Sequence, residues 1–258
     1  MSFPNYSAKY GKESLLQPGE MFAFRRRIGQ IKNIAPPEGL IVCLQRGLPE
    51  RMRWRIPIQL AGRMMADLYL IKKTRGRVAV LTTLGEGSPM ISSLTEELIA
   101  FGVKRVISIV WGGGLQPGLV SGDIVVCDRA LRDEGTSHHY LPPERFVHAS
   151  PAMVTKLVAA IRQRGRDCTV GATWTTDAPY RETRDEVLQY QSEGILTVEM
   201  EVASLFAVGQ VRNVEVVSAV AVGDSLADLQ WRLPANFEPI ERSLELLYEA
   251  AVDVLSSD

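Results

Sequence analysis

Cysteine and histidine are both scarce in this chain of 258 residues, with three of each. Cys43, Cys127 and Cys168 are odd in number and far apart, which excludes a disulfide framework and any CxxC zinc spacing. A reducing cytoplasm is the compartment this composition leads one to expect. His138 and His139 are adjacent, so in an extended segment they face opposite ways and do not chelate one ion, and His148 stands alone. No GxSxG elbow occurs and no cysteine has a local histidine partner, so covalent nucleophilic hydrolysis finds no support. A long apolar run is also missing. The most apolar stretch, Val211–Val222, is interrupted by Arg212 and Glu215, so no segment reads as membrane-spanning. The first dozen residues lack the apolar core of a secretory signal, and none is expected. Charge of one sign is not in excess either. Twenty-nine Lys and Arg against 30 Asp and Glu leave a net charge of −1, which provides no global field to draw the protein onto nucleic acid or anionic lipid.

What is present is an ordinary globular composition, 46% hydrophobic and 23% charged, with chain enough for one substantial core. Residues 1–38 carry Pro4, Pro18, Pro36, Pro37 and Arg25-Arg26-Arg27 without a sustained period, and read as an N-terminal arm packed on a body of residues 39–258. From Gly39 onward apolar, β-branched runs alternate with helical patterns. Leu40–Leu44, Met64–Ile71, Arg77–Thr83, Arg105–Val110, Asp123–Asp128, Asp167–Trp174, Ile195–Val198 and Val214–Val222 are predicted strands. Ser92–Phe101, Ala152–Arg164, Glu201–Arg212 and Ile240–Leu255 are predicted helices. This rhythm predicts a single-domain α/β fold, a three-layer αβα sandwich around a twisted mixed sheet.

Ligands of such folds gather where strands end, and four strand ends carry polar or glycine-rich residues. Gly47-Leu48-Pro49-Glu50-Arg51 places an arginine, able to fork onto phosphate, four residues after a glycine whose backbone an anion can approach. Gly85-Glu86-Gly87-Ser88-Pro89 precedes a helix whose first N–H groups are unpaired. It lacks the Lys-Ser/Thr of a P-loop and the third glycine of a dinucleotide fingerprint. Trp111-Gly112-Gly113-Gly114 leaves no side chains where a ligand or a crossing backbone must come close. Glu199-Met200-Glu201 and Asp224 end two apolar strands, which predicts three carboxylates brought together by neighbouring strands. A carboxylate accepts two hydrogen bonds side by side, as the cis hydroxyls of a ribose present them. An Asp at an apolar strand end is also suited to giving a proton to a leaving group. Taken singly, each feature also has a plain structural reading as a turn, a helix-capping charge or a solvated arginine.

In this order the motifs resemble the nucleoside phosphorylase superfamily, which includes hexameric purine nucleoside phosphorylases, uridine phosphorylases and methylthioadenosine nucleosidases. The resemblance runs from about Gly39 to Leu255. It is carried by Gly85–Pro89 with Glu96-Glu97-Leu98, by Gly112–Leu115 with Gly122-Asp123-Ile124-Val125, by Asp133–Tyr140, and above all by Val198-Glu199-Met200-Glu201-Val202-Ala203. It implies a nucleoside held at the edge of a mixed sheet and cleavage of the N-glycosidic bond through an oxocarbenium-like transition state. Glu201 would then bind the ribose hydroxyls, Met200 pack under the sugar and Glu199 contact sugar or base. Asp224 would act as acid on the departing base, with Tyr180 and Gly113 beside it, and Gly47, Arg51 and Gly85 would hold phosphate. Homo-oligomers, dimers or hexamers whose sites a neighbour completes, are implied as well. Phosphate is a co-substrate, and neither a metal nor an organic cofactor is implied.

The phosphate half departs from the family pattern. Leu48 replaces an aspartate, Ser108 stands where the second phosphate arginine is usual, and Trp111 replaces a threonine. One bidentate arginine contact is worth roughly 1.5–3 kcal/mol, or about ten- to a hundredfold in affinity. Arg55 and Arg63 are candidates to supply a replacement from a neighbouring subunit. The expected activity is phosphorolysis of a nucleoside to free base and ribose 1-phosphate. The alternatives are a nucleosidase using water and a nucleoside-binding protein without turnover.

Overall fold

The computed structural model describes residues 4–82 and 85–257. Residues 1–3 of the N-terminal segment, Thr83 at the end of a predicted strand, and Asp258 lie outside the described residues.

The architecture is a mixed sheet of ten strands flanked by helices. Its centre is β1 (Gly39–Cys43), all five residues of which are buried between two parallel neighbours, β4 (Val78–Thr82) and β5 (Arg105–Gly114). A strand covered on both faces tolerates no alternation, hence the unbroken apolar run from Leu40 to Cys43. On one side of β4 the sheet continues through β3 (Asp67–Ile71) to an edge strand, β2 (Ile58–Arg63), both antiparallel. On the other side it closes on itself. β5 pairs in parallel with β10 (Glu215–Ser225), β10 antiparallel with β6 (Ile124–Asp133), β6 in parallel with β8 (Thr169–Thr176), β8 with β9 (Thr197–Glu199), and β9 returns antiparallel to β5. A short strand, β7 (Phe146–His148), extends β6.

Helices α1 (Pro18–Arg27), α3 (Ser88–Phe101) and α6 (Val202–Arg212) form one packed group, and α4 (Pro151–Gln163) with α7 (Glu238–Ser256) another. Residues 202–209 of α6 are buried all round, which is why its sequence is apolar on every face. Gly209 lets it approach β10 closely, since a Cβ there would lie 2.3 Å from Val216 Cγ2. A one-turn helix, α2 (Leu48–Arg51), follows β1. Helix α5 (Arg184–Ser192) lays Val187 over a second small core containing Leu131, Trp174, Ile195 and Val198.

Differences from the sequence reading are local. β2, β7, α1, α2 and α5 carry too few apolar residues, or are too short, to show a period. Helix α3 begins at Ser88 rather than Ser92 because Pro89 suits a first helical turn. Strands β5, β6 and β10 run longer than predicted, and the glycines after Trp111 lie inside β5 rather than beyond its end.

Within residues 4–38, α1 is pinned to α3 by stacking of Phe22 on Phe101, ring centroids 4.2 Å apart, and by a forked ion pair in which Arg25 donates to both oxygens of Glu97 at 2.6 and 3.1 Å. Both partners of that pair are almost fully buried. Arg25→Ala strands the Glu97 carboxylate without its cation, and the expected loss is about 3 kcal/mol. Chemical denaturation of the two proteins measures it; a loss below about 1 kcal/mol would show that Glu97 finds water or another partner.

Candidate functional site

The glycines of β5 exist first for packing. A Cβ on Gly112 would lie 2.5 Å from the Val198 carbonyl oxygen of β9, which crosses β5 there with Gly113 opposite Val198. β10 flanks the other side of β5, with Val222 opposite Gly112. Glu199 and Asp224 are therefore brought to one place because β9 and β10 both border β5, not because they neighbour each other. Bare backbone at Gly112 and Gly113 forms the floor of a cavity of about 720 Å³ lined also by Glu199, Met200, Glu201 and Asp224.

The two glutamates of the β9–α6 turn each sit at the start of a helix. Glu199 Oε2 accepts the backbone N–H groups of Glu201 and Val202 at 2.6 and 2.7 Å, satisfying first-turn donors of α6, while Oε1 accepts Thr175 Oγ1–H at 2.5 Å. Glu201 reaches across to α3, where Oε1 accepts the Gly87 N–H at 2.6 Å; Oε2 accepts the Met200 N–H at 3.3 Å. Helix N-termini favour negative charge, and here the anion is the protein's own. Ser88 of α3 donates to the Met200 carbonyl at 2.8 Å, fixing the same turn a second time. Both carboxyls are buried. Desolvation first, then the charge of Glu201, pushes Glu199 up, against the pull of its hydrogen bonds; desolvation likewise raises Glu201.

Asp224 faces this pair across the glycine floor. Its Oδ2 accepts the Trp231 indole N–H at 2.7 Å and its Oδ1 that of Trp111 at 3.4 Å. The Trp111 ring lies against the backbone of Gly223, where a Cβ would be 1.5 Å from Nε1, and packs edge-on to Phe237. Tyr180 and Pro179 stand at the mouth, Tyr180 fully exposed. Glu182, half-buried, completes this end of the cavity.

The residues expected to hold phosphate are placed differently. Gly47 has a left-handed φ of 74° and starts α2, with Arg51 folded back so that Nη1 lies 3.7 Å from where a Gly47 Cβ would be. Arg51 is exposed, and neither residue lines the cavity; nor does Gly85. Their neighbours Gln45 and Glu86 do. Ser108 lies in mid-strand, fully buried, its hydroxyl without a hydrogen bond. The expected anion site at the α3 N-terminus is occupied by Glu201. His138 lies beside Arg132 and His139 beside Lys9, both outside the cavity. Gln191 is held by the Leu115 and Ala227 carbonyls and Arg184 by that of Leu229. Glu182, Trp231, Gln45 and Glu86 are cavity residues that sequence reasoning missed. Only Glu182 had a usable signal, standing two residues beyond Tyr180.

These features make a sheet-edge cavity lined by buried carboxyls. The profile described as "Phosphorylase superfamily" matches residues 59–252, about three quarters of the chain, and the chain belongs to that superfamily. Uridine phosphorylase of Haemophilus influenzae is 30% identical over 145 residues, covering 51% of this chain and 58% of that protein. Guanosine phosphorylase of Halorubrum lacusprofundi is 27% identical over 183 residues, 68% of this chain and 76% of that protein. A DeoD-type purine nucleoside phosphorylase of Bacillus cereus is 31% identical over 152 residues, 58% and 64% respectively. The chain thus spans little more than half the length of the uridine phosphorylases it matches. Among the described residues no helix is long and apolar enough to cross a membrane.

The raised carboxyls have a measurable consequence. A group bound more tightly to its proton in the folded than in the unfolded protein makes stability fall as pH rises, here between the ordinary glutamate value of 4.5 and about 8. The melting temperature should drop over that window, and drop less in Glu199→Gln, whose amide oxygen still caps α6. Glu199→Ala leaves first-turn N–H groups without an acceptor and should cost about 2 kcal/mol. An unchanged pH slope in Glu199→Gln would show that Glu199 does not carry the effect.

Proposed function

We propose that this chain cleaves the N-glycosidic bond of a nucleoside, as a pentosyltransferase that delivers the pentose to phosphate and releases the free base. The observation that carries the reading is the cavity itself: two buried carboxylates with Met200 between them at one end, Asp224 and Tyr180 at the other, and a glycine floor that admits a flat ring. Glu201 keeps a free lone pair on each oxygen after accepting from Gly87 and Met200. It is thereby able to take both cis hydroxyls of a ribose. Glu199, with two N–H groups on Oε2 and the Thr175 and Thr173 hydroxyls on Oε1, positions Glu201 rather than the sugar. When ionised, Glu201 beneath the sugar favours the positive charge that develops at C1′ as the bond breaks. The names of the matched relatives, uridine, guanosine and purine nucleoside phosphorylase, support the same reaction class. Asp224 tilts the reading toward a purine.

A specific observation favours a second nucleophile. No arginine lines the cavity among the described residues, and the anionic Glu86 does. With Ser108 buried in the sheet, this chain alone offers phosphate little beyond Arg51 and loop backbone. Hydrolysis by water is the second reading. The first is restored if a neighbouring copy supplies an arginine. Arg63 at the end of β2 is exposed and pairs with Asp67 at 3.4 Å, and the aromatic mouth at Tyr180 and Trp231 is open to such a neighbour. A homo-oligomer belongs to this proposal, as do Gly47, Arg51 and Gly85 on the phosphate side.

Incubation with purine and pyrimidine nucleosides, with and without phosphate, tests it by chromatography of the products. Ribose 1-phosphate formed only with phosphate is the expected result, ribose formed without phosphate gives the second reading, and no released base overturns both. Glu201→Gln should lower kcat/KM about ten- to a hundredfold, the worth of one hydrogen bond to a charged group; full activity would remove the ribose clamp from the account.

A further inference from the structure

Resting on that reading of the cavity, with Asp224 as the acid on the departing base, we infer that Trp231 is the positioning residue that aims it. Its indole N–H holds Oδ2 and leaves Oδ1 to meet the base. The contact is short, 2.7 Å from Trp231 Nε1 to Oδ2. The Trp111 indole reaches Oδ1 only at 3.4 Å, beyond the usual range of an N–H···O bond, and its ring is held instead by packing on the Gly223 backbone and edge-on against Phe237. The two oxygens of Asp224 are thus unequal, one tied and one loosely held. Both lie over the bare floor of the cavity, since a Cβ on Gly113 would be 3.5 Å from Oδ1 and 3.6 Å from Oδ2.

The backbone is what brings Trp231 there. Ser225, the last residue of β10, and Arg232 exchange both of their backbone hydrogen bonds at 2.9 Å, an antiparallel bridge that folds the chain back on itself. Side chains alternate along such a pair, so Asp224 and Trp231, each one residue before a member of the bridge, share a face. The return between them is tight. Leu229 takes a left-handed φ of 63° and its N–H bonds the Leu226 carbonyl at 2.9 Å. Helix α5 braces this turn, with Gln191 donating to the Ala227 carbonyl at 2.8 Å and Arg184 to that of Leu229 at 3.3 Å. The Trp231 ring itself is 64% exposed, so packing does little to orient it and the bond to Asp224 does most. An indole nitrogen donates and does not accept, which closes the facing lone pair of Oδ2 to a proton and directs the proton that Asp224 carries to Oδ1. The step that this serves balances as follows. The C1′–N9 bond of a purine nucleoside breaks with its electron pair passing to the base, the Oδ1 proton goes to N7, and an oxygen of phosphate or water bonds to C1′. Asp224 then recovers a proton by way of solvent, where the nucleophile leaves its own.

The test compares Trp231→Phe, which keeps a ring and removes the N–H, with Asp224→Ala and the double variant, on inosine and on 7-methylinosine, whose base is already cationic at the imidazole and needs no proton. Trp231→Phe should lower kcat on inosine about ten- to a hundredfold, the worth of a hydrogen bond to a charged group, with KM within about threefold of wild type. On 7-methylinosine it should stay within about threefold. In the Asp224→Ala background the same substitution should cost nothing further, because a positioning residue has nothing left to position. Full inosine activity in Trp231→Phe, equal loss on both substrates, or losses that multiply in the double variant would each overturn the assignment. The indole ¹⁵N–H resonance of Trp231, identified by its disappearance in Trp231→Phe, should move in Asp224→Ala, and an unmoved resonance would remove the contact itself. If the wild type releases base only from pyrimidine nucleosides, the positioning role in proton donation to N7 is overturned while glycosidic cleavage stands; if it releases none, the underlying reading fails first.

Discussion

Everything at this site depends on one arrangement, the burial of two carboxyls on either side of Met200, each held at the start of a different helix. Glu199 holds the first N–H groups of α6 and Glu201 that of Gly87 at the start of α3. Helix termini are the one place in a protein interior where a carboxylate finds several fixed donors without a counter-cation. The arrangement ties β9 to both helices. It also fixes Glu201 in place, so that in the proposed reading a ribose would be ordered without rearranging its acceptor.

The cost is electrostatic. Two neighbouring buried acids resist ionising together, which makes the site sensitive to pH; in the proposed reading their ionised form would present an anionic surface to the sugar. That surface is also what makes phosphate hard to hold nearby. Glu86 on the α3 loop adds to it, and Ser108 and Trp111 contribute no positive charge. Among the described residues the cavity has carboxyls and aromatic rings but no arginine, so in the proposed reading the identity of the nucleophile turns on what a second copy would bring.

Much of this was legible in the sequence. The apolar runs of β1 and β4 announced strands, and their alternation with helical patterns announced a mixed sheet in an α/β fold. Val198–Ala203 identified the carboxylate turn through its resemblance to the family motif. Three things were hidden. Closure of the sheet through β5 and β10 depends on long-range pairing that leaves no local period. The glycines after Trp111 do not reveal whether they make room for a ligand or for the β9 backbone; Gly112 is required by the latter and Gly113 faces the cavity as well. Trp231 comes from an irregular loop, where nothing in the spacing says which side chain turns inward, and Glu182 was marked only by standing two residues beyond Tyr180.

The claim at the centre of this account is that the buried pair exists to hold a ribose diol through Glu201. Calorimetric titration of the protein with a purine ribonucleoside and with its 2′,3′-dideoxy counterpart, without phosphate, addresses it most directly. The account predicts that loss of the two hydroxyls weakens binding by at least about tenfold, since it leaves buried acceptor sites on Glu201 without donors. Equal affinity for the two ligands would contradict it.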